Sequence, residues 1–148
     1  MILRSREEAG GLRWDGRELL PYKESGTHFR KIAKQNLFGP AEGLPSELRY
    51  FEIAPGGHST LERHEHVHGV LILRGEGEVL VGNRVCSVRP FDLVYVPPRT
   101  WHQFRPTPGR SLGFLCLVDS SRDRPERPDP DALEELRRDP EVAAFIRV

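Results

Sequence analysis

Between Glu47 and Asp119 the chain is cut at near-regular intervals by glycine and proline. ELRYFEIA runs into Pro55-Gly56-Gly57, VLILR into Gly75-Glu76-Gly77, EVLV into Gly82-Asn83, RVCSV into Pro90 and DLVYV into Pro97-Pro98, before WHQF and SLGFLCLVD close the run. Apolar segments this short, each stopped by a turn signal at ~8–12-residue spacing, leave no room for long helices and predict an antiparallel sandwich or barrel. Gly82-Asn83 predicts a two-residue hairpin, because both residues tolerate the positive φ that matches strand twist.

Outside this run the pattern loosens. Leu12 to Phe38 reads as an irregular lead-in with candidate strands at Glu18–Tyr22 and Phe29–Leu37. SSRDRPERPDP after Asp119 reads as a surface connection. Two short helices follow, DALEELRR and EVAAFIRV, each opened by an aspartate cap and a proline at the first helical position: Asp129-Pro130 and Asp139-Pro140. Leu133, Leu136, Val142, Phe145 and Ile146 recur at helical spacing, which predicts that they lie on the outside of the barrel or on a partner subunit. The division expected is an arm over 1–46, a barrel over 47–119, and a linker with helices over 120–148, all within one structural domain.

At 148 residues with 37% hydrophobic content, one core can hide about 70% of the unfolded surface without staples. Lysine plus arginine and aspartate plus glutamate both number 22, so no electrostatic footprint points to nucleic acid or an anionic membrane. MILRSREEAG carries charges where a secretory signal needs an apolar run, and the expected location is cytoplasmic. Cys86 and Cys116 are therefore expected as buried, reduced thiols.

The chemistry concentrates in ERHEHVHGV. On an extended strand alternate residues share a face, so Glu62, His64, His66 and His68 would point one way. Three imidazoles and a carboxylate have little use in packing, but they are what a divalent transition metal requires: Fe, Mn, Zn, Ni or Co. One strand offers ligands on one side of an ion only, and His102 in WHQF is the candidate from a neighbouring strand.

These residues resemble the cupin superfamily. Its first motif, G-x5-H-x-H-x3-4-E-x6-G, is matched in spacing by Gly56, Glu62, His64, His68 and Gly75, with histidine and glutamate exchanged at two positions. Its second, G-x5-P-x-G-x2-H-x3-N, keeps Pro97 and His102, while Phe91, Arg99 and Pro106 stand where the motif has Gly, Gly and Asn. The resemblance implies an all-β, double-stranded β-helix (jelly-roll) barrel with a metal inside. It leaves two ligand sets open: Glu62, His64, His68 and His102, or His64, His66, His68 and His102.

A metal so held keeps a position open for substrate. The function expected is a metal-dependent enzyme acting on a small oxygenated organic substrate, by dioxygenase, isomerase, decarboxylase or lyase chemistry, with Glu62 and His66 as candidate catalytic groups. The alternatives are a non-catalytic binding or sensing barrel and a structural metal barrel. Small barrels of this family commonly pair, so a homodimer is expected. Cys116 reads as a core thiol or a site-wall residue.

Overall fold

The computed structural model describes residues 1–21 and 28–148. The strands in chain order are β1 (Ser5–Glu8), β2 (Gly11–Trp14), β3 (Leu20–Pro21), β4 (Arg30–Phe38), β5 (Ser46–His58), β6 (His68–Gly75), β7 (Gly77–Val81), β8 (Arg84–Val88), β9 (Leu93–Val96), β10 (His102–Pro106) and β11 (Leu112–Asp119). The helices are α1 (Pro130–Leu136) and α2 (Pro140–Phe145). All strand pairs are antiparallel, in a six-stranded sheet ordered β3-β4-β5-β11-β6-β9, a three-stranded sheet ordered β10-β7-β8 and the β1-β2 hairpin.

The two larger sheets face each other across one apolar core, which is the barrel that the turn spacing predicted. Phe114 lies opposite Phe51 on β5 and Ile72 on β6, and its ring stacks on Phe51 at 5.4 Å and on Phe104 of the other sheet at 4.7 Å. The β7-β8 hairpin forms at Gly82-Asn83 as predicted. Only Gly82 takes positive φ, 69°, so one left-handed residue suffices for the turn.

Both helices begin at their predicted caps. Asp129 accepts a hydrogen bond from the Ala132 amide at 2.8 Å, and Asp139 accepts from the Glu141 amide at 2.9 Å. Of the two places open to the helix faces, the structure uses the barrel's own exterior. Val142, Phe145 and Ile146 pack on Leu61 and Leu80, with Leu133, Leu136, Val85 and Trp101 around them. The C-terminal tail is fixed by buried Gln103, whose Nε2 donates to the Arg147 carbonyl at 2.7 Å and whose Oε1 accepts from its amide at 2.8 Å.

Three expectations are corrected. The lead-in is more regular than predicted, since β1 and β2 form a hairpin and β4 runs along β5; Tyr22, the end of one candidate strand, lies outside the described residues. Cys86 is exposed, while Cys116 is buried, and both are free thiols. Cys86 shares its parity with core residue Val88 but sits on edge strand β8, which has a neighbour on one side only. Finally, ERHEHVHGV is not one extended strand.

Candidate metal centre

After β5 the chain leaves the six-stranded sheet and crosses to β10. Ser59 donates from its amide to the Phe104 carbonyl at 3.0 Å, and Glu62 exchanges both backbone hydrogen bonds with His102, at 3.2 and 3.0 Å. Glu62 and His102 are therefore a directly opposed cross-strand pair whose side chains share a face. Arg63 bridges to Glu126. Residues 64–67 form an irregular loop, and β6 begins at His68. Strand alternation thus fails as the reason for the cluster, because backbone pairing switches partners twice within seven residues.

The cluster forms nonetheless, assembled from three elements. His68 comes from the six-stranded sheet, His102 from the three-stranded sheet and His64 from the loop between them, and their ligand nitrogens lie within 4.8 Å of one another. All three are buried. Nδ1 of His64 donates to the His66 carbonyl at 2.7 Å, and Nδ1 of His102 donates to the Thr100 carbonyl at 2.9 Å. Since a carbonyl only accepts, these bonds fix the tautomer and leave each Nε2 with a free lone pair. The buried Nε2 of His64 has no hydrogen-bond partner.

Electrostatics keep the rings neutral. Burial, then His102 and His64, push His68 down to about 2. Burial is the main cause at His102 as well, which lies at about 4, and His64 is also lowered, first by burial and then by His66. Three neutral, buried imidazoles, two of them tautomer-fixed and one with an orphaned nitrogen, fit a divalent transition metal.

The two uncertain candidates occupy different places. The Glu62 carboxylate approaches His102 Nε2 at 4.0 Å, and burial raises it to about 7. His66 stacks on His64, with ring centroids 3.6 Å apart, and its Nδ1 meets Asp123 Oδ1 at 2.6 Å. Asp123 also accepts from the amides of Glu65 and His66, which holds the loop and keeps its own carboxyl well below the usual range.

The four glycine positions of the two motifs all adopt the left-handed backbone. Gly56 and Gly75 both have φ 74°, Phe91 has φ 75° and Arg99 has φ 53°. The second motif therefore keeps its backbone where its residue types depart. Strain at Arg99 is offset by its contacts, since its amide donates to the His64 carbonyl at 2.6 Å and its guanidinium pairs with Glu65 at 2.7 Å. At exposed Phe91 the amide likewise donates, to the Ile72 carbonyl at 2.8 Å, but no side-chain ion pair is added.

The histidines open into a cavity of about 260 Å³, walled by Phe51, Phe104 and Phe114 and by several residues that the sequence reading passed over: Lys34, Arg49, Arg122 and Pro125. Cys116 is both a core residue and part of this wall, its Sγ accepting from Arg49 Nη2 at 3.4 Å. Arg122 and Pro125 come from the segment expected to be a plain surface connection, which crosses the mouth. The only early signal for Lys34 and Arg49 was a charge sharing strand parity with Ile32 and with Phe51 and Ile53.

Comparison with known proteins places this arrangement. The cupin domain profile matches residues 49–118. The chain is 53% identical over 135 residues to the 1-methylthio-D-xylulose 5-phosphate methylsulfurylase of Rhodospirillum rubrum, covering 90% of this chain and 86% of that protein. A cupin 2 conserved barrel domain protein from Rhodopseudomonas palustris superposes with a TM-score of 0.90 at 49% identity, over 98% of this chain and 99% of that one. A cupin-2 domain structure from Rhodospirillum rubrum gives 0.87 at 52% identity, over 95% and 94%.

Proposed function

The chain belongs to the cupin family, and from that premise we propose that it is a metal-dependent enzyme removing the methylthio group from a small phosphorylated ketose, as the name of its 53%-identical relative describes. The observation that carries this reading is one cavity lined by His68, His102 and Cys116, neutral nitrogen ligands beside a thiol. A divalent transition metal, Fe, Mn, Zn, Ni or Co, would be held by His64, His68 and His102, with Glu62 as a fourth ligand, and would polarise chelated substrate oxygens as a Lewis acid.

The chain's own residues supply the rest. The Cys116 sulfur attacks the substrate sulfur; the carbon–sulfur bond breaks, its electron pair passes to the substrate carbon, and that carbon takes a proton, leaving Cys116 in a mixed disulfide with methanethiol. An external thiol then reduces the disulfide. Arg49 beside the thiol stabilises the thiolate against burial, which raises Cys116. His66, oriented by Asp123, is the proton carrier at the wall.

The test is elemental analysis of untagged protein, then incubation of each metal form with 1-methylthio-D-xylulose 5-phosphate and a thiol. Methylthio release that stops in Cys116→Ala while metal content stays stoichiometric supports the reading. Substrate binding without turnover in every metal form would turn it to a sensing or binding barrel. The free thiols suit the cytoplasm, and no helix among the described residues is long and apolar enough to cross a membrane. A homodimer belongs to the same proposal. The helix faces are already covered, so its support moves to exposed Leu93 and Tyr95 on edge strand β9 and to Leu117, and sedimentation at the 16.9 kDa monomer mass would refute it.

A further inference from the structure

Arg49 is only 8% exposed, and its Nε has no hydrogen-bond partner. Its Nη2 donates to the Cys116 thiol at 3.4 Å, a neutral group. The guanidinium lies over the Phe51 ring at 5.3 Å and feels the Glu62 carboxylate at longer range. It has no ion pair among the described residues, so part of a desolvation cost of several kcal/mol is left uncompensated. Its neighbours deepen the imbalance. Half-buried Lys34 has no ion pair among the described residues, and it is pushed below its ordinary value by burial first and by Arg49 next. Arg122 closes the group from the segment over the mouth, held by Glu47 at 2.9 Å. All three cations line the histidine cavity, whose one carboxylate, Glu62, faces His102.

We propose that Lys34, Arg49 and Arg122 form a phosphomonoester subsite in the wall of the histidine cavity. This rests on the reading of a phosphorylated substrate above and names the residues that recognise its charged end. Charge and acceptor count together select the ligand. Three cations against Glu47 and a Glu62 raised to about 7, thus partly ionised at neutral pH, leave a surplus between one and two, and a phosphomonoester carries about −1.5 to −2 with three acceptor oxygens. A carboxylate, with one charge and two oxygens, matches the lower end of that surplus and offers fewer acceptors. Anchoring the phosphate there keeps the sugar beside Cys116, since Arg49 and Cys116 are register partners on β5 and β11.

The experiment is calorimetry on the full-length metal-free protein with inorganic phosphate, then with D-xylulose 5-phosphate against D-xylulose, and with acetate as a carboxylate probe. Wild type is expected to bind the phosphorylated sugar at least about tenfold more tightly than the free sugar, and Arg49→Met or Lys34→Met to reduce that preference to near unity. Arg49→Lys should restore part of it. Should Arg49→Met fail to fold, Lys34→Met, at a half-buried position, carries the test alone. An unchanged preference in folded variants, or acetate bound as tightly as phosphate, overturns the subsite. Binding without methylthio release keeps the subsite and rejects the reaction; release by Arg49→Met with unchanged KM rejects the subsite and keeps the reaction.

Discussion

Along its axis the barrel interior changes character without changing strands. On β5, Ile53 and Phe51 lie in the apolar cluster, while Arg49, two residues nearer the mouth, lines the cavity; on β10 the same step leads from Phe104 to His102. On β6 it leads from Val70 to His68, whereas β11 stays apolar through Phe114, Cys116 and Val118. Adjacent layers of one interior thus do opposite work. The apolar layer supplies the burial that holds the sheets together, so the polar layer can keep unpaired nitrogens and a buried guanidinium without an ion pair that would be destabilising on their own.

The sharpest way to break this contrast is to exchange the penalties. Phe114→Ala empties the centre of the apolar layer and should cost about 3–5 kcal/mol of stability, read by urea denaturation, with metal stoichiometry of the folded fraction unchanged. His102→Ala should do the reverse: metal affinity falls at least about 100-fold, near 3 kcal/mol, while the metal-free protein changes by less than about 1 kcal/mol. Equal stability losses in the two variants would show that the layers are not separate.

Proton linkage sharpens the comparison further. Folded His68 and His102 titrate at about 2 and about 4, below the ordinary histidine value of 6.5. The unfolded chain therefore takes up more protons between about pH 6.5 and 4, and the metal-free protein loses stability as pH falls through that window. Glu62, raised to about 7 from 4.5, works oppositely: its contribution is present at low pH and is lost as pH rises from about 4.5 to 7. Two histidines outweigh one carboxylate, for a net loss on acidification of about 2–3 kcal/mol. Glu62→Gln should make that loss steeper, and a melting temperature that rises on acidification would contradict the assignment.

The smallest effect lies outside both layers. Phe91→Gly relieves a left-handed residue at a motif glycine position, where the strain of about 1–2 kcal/mol exceeds the extra chain entropy glycine loses. Melting should rise by about 2–3 °C; a decrease would mean that the Phe91 side chain makes stabilising contacts, as in a dimer.

The barrel, its hairpin and the capped helices were legible in the sequence because each is a local matter. Turn residues punctuate, period-two alternation marks strands, and a cap needs only its own three following residues. The histidines were legible through the spacing of the motifs and not through strand alternation, which residues 64–67 break. Phe91 and Arg99, which stand where the second motif has glycine, keep its left-handed backbone, which their residue types do not announce. The charged wall was not legible. In Leu48 to Ile53 both faces of β5 are covered, with Tyr50 and Glu52 lying under the β1-β2 hairpin beside Trp14 and Gly11, so alternation could not say which side was interior. Nor could it reveal that residues 64–67 leave the strand, or that Arg122 and Asp123 return over the mouth to meet Glu47 and His66. Local pattern fixes which way a side chain points relative to its own backbone. Which groups then face each other depends on register between distant strands, and that is decided only when the sheets close and bury their shared core.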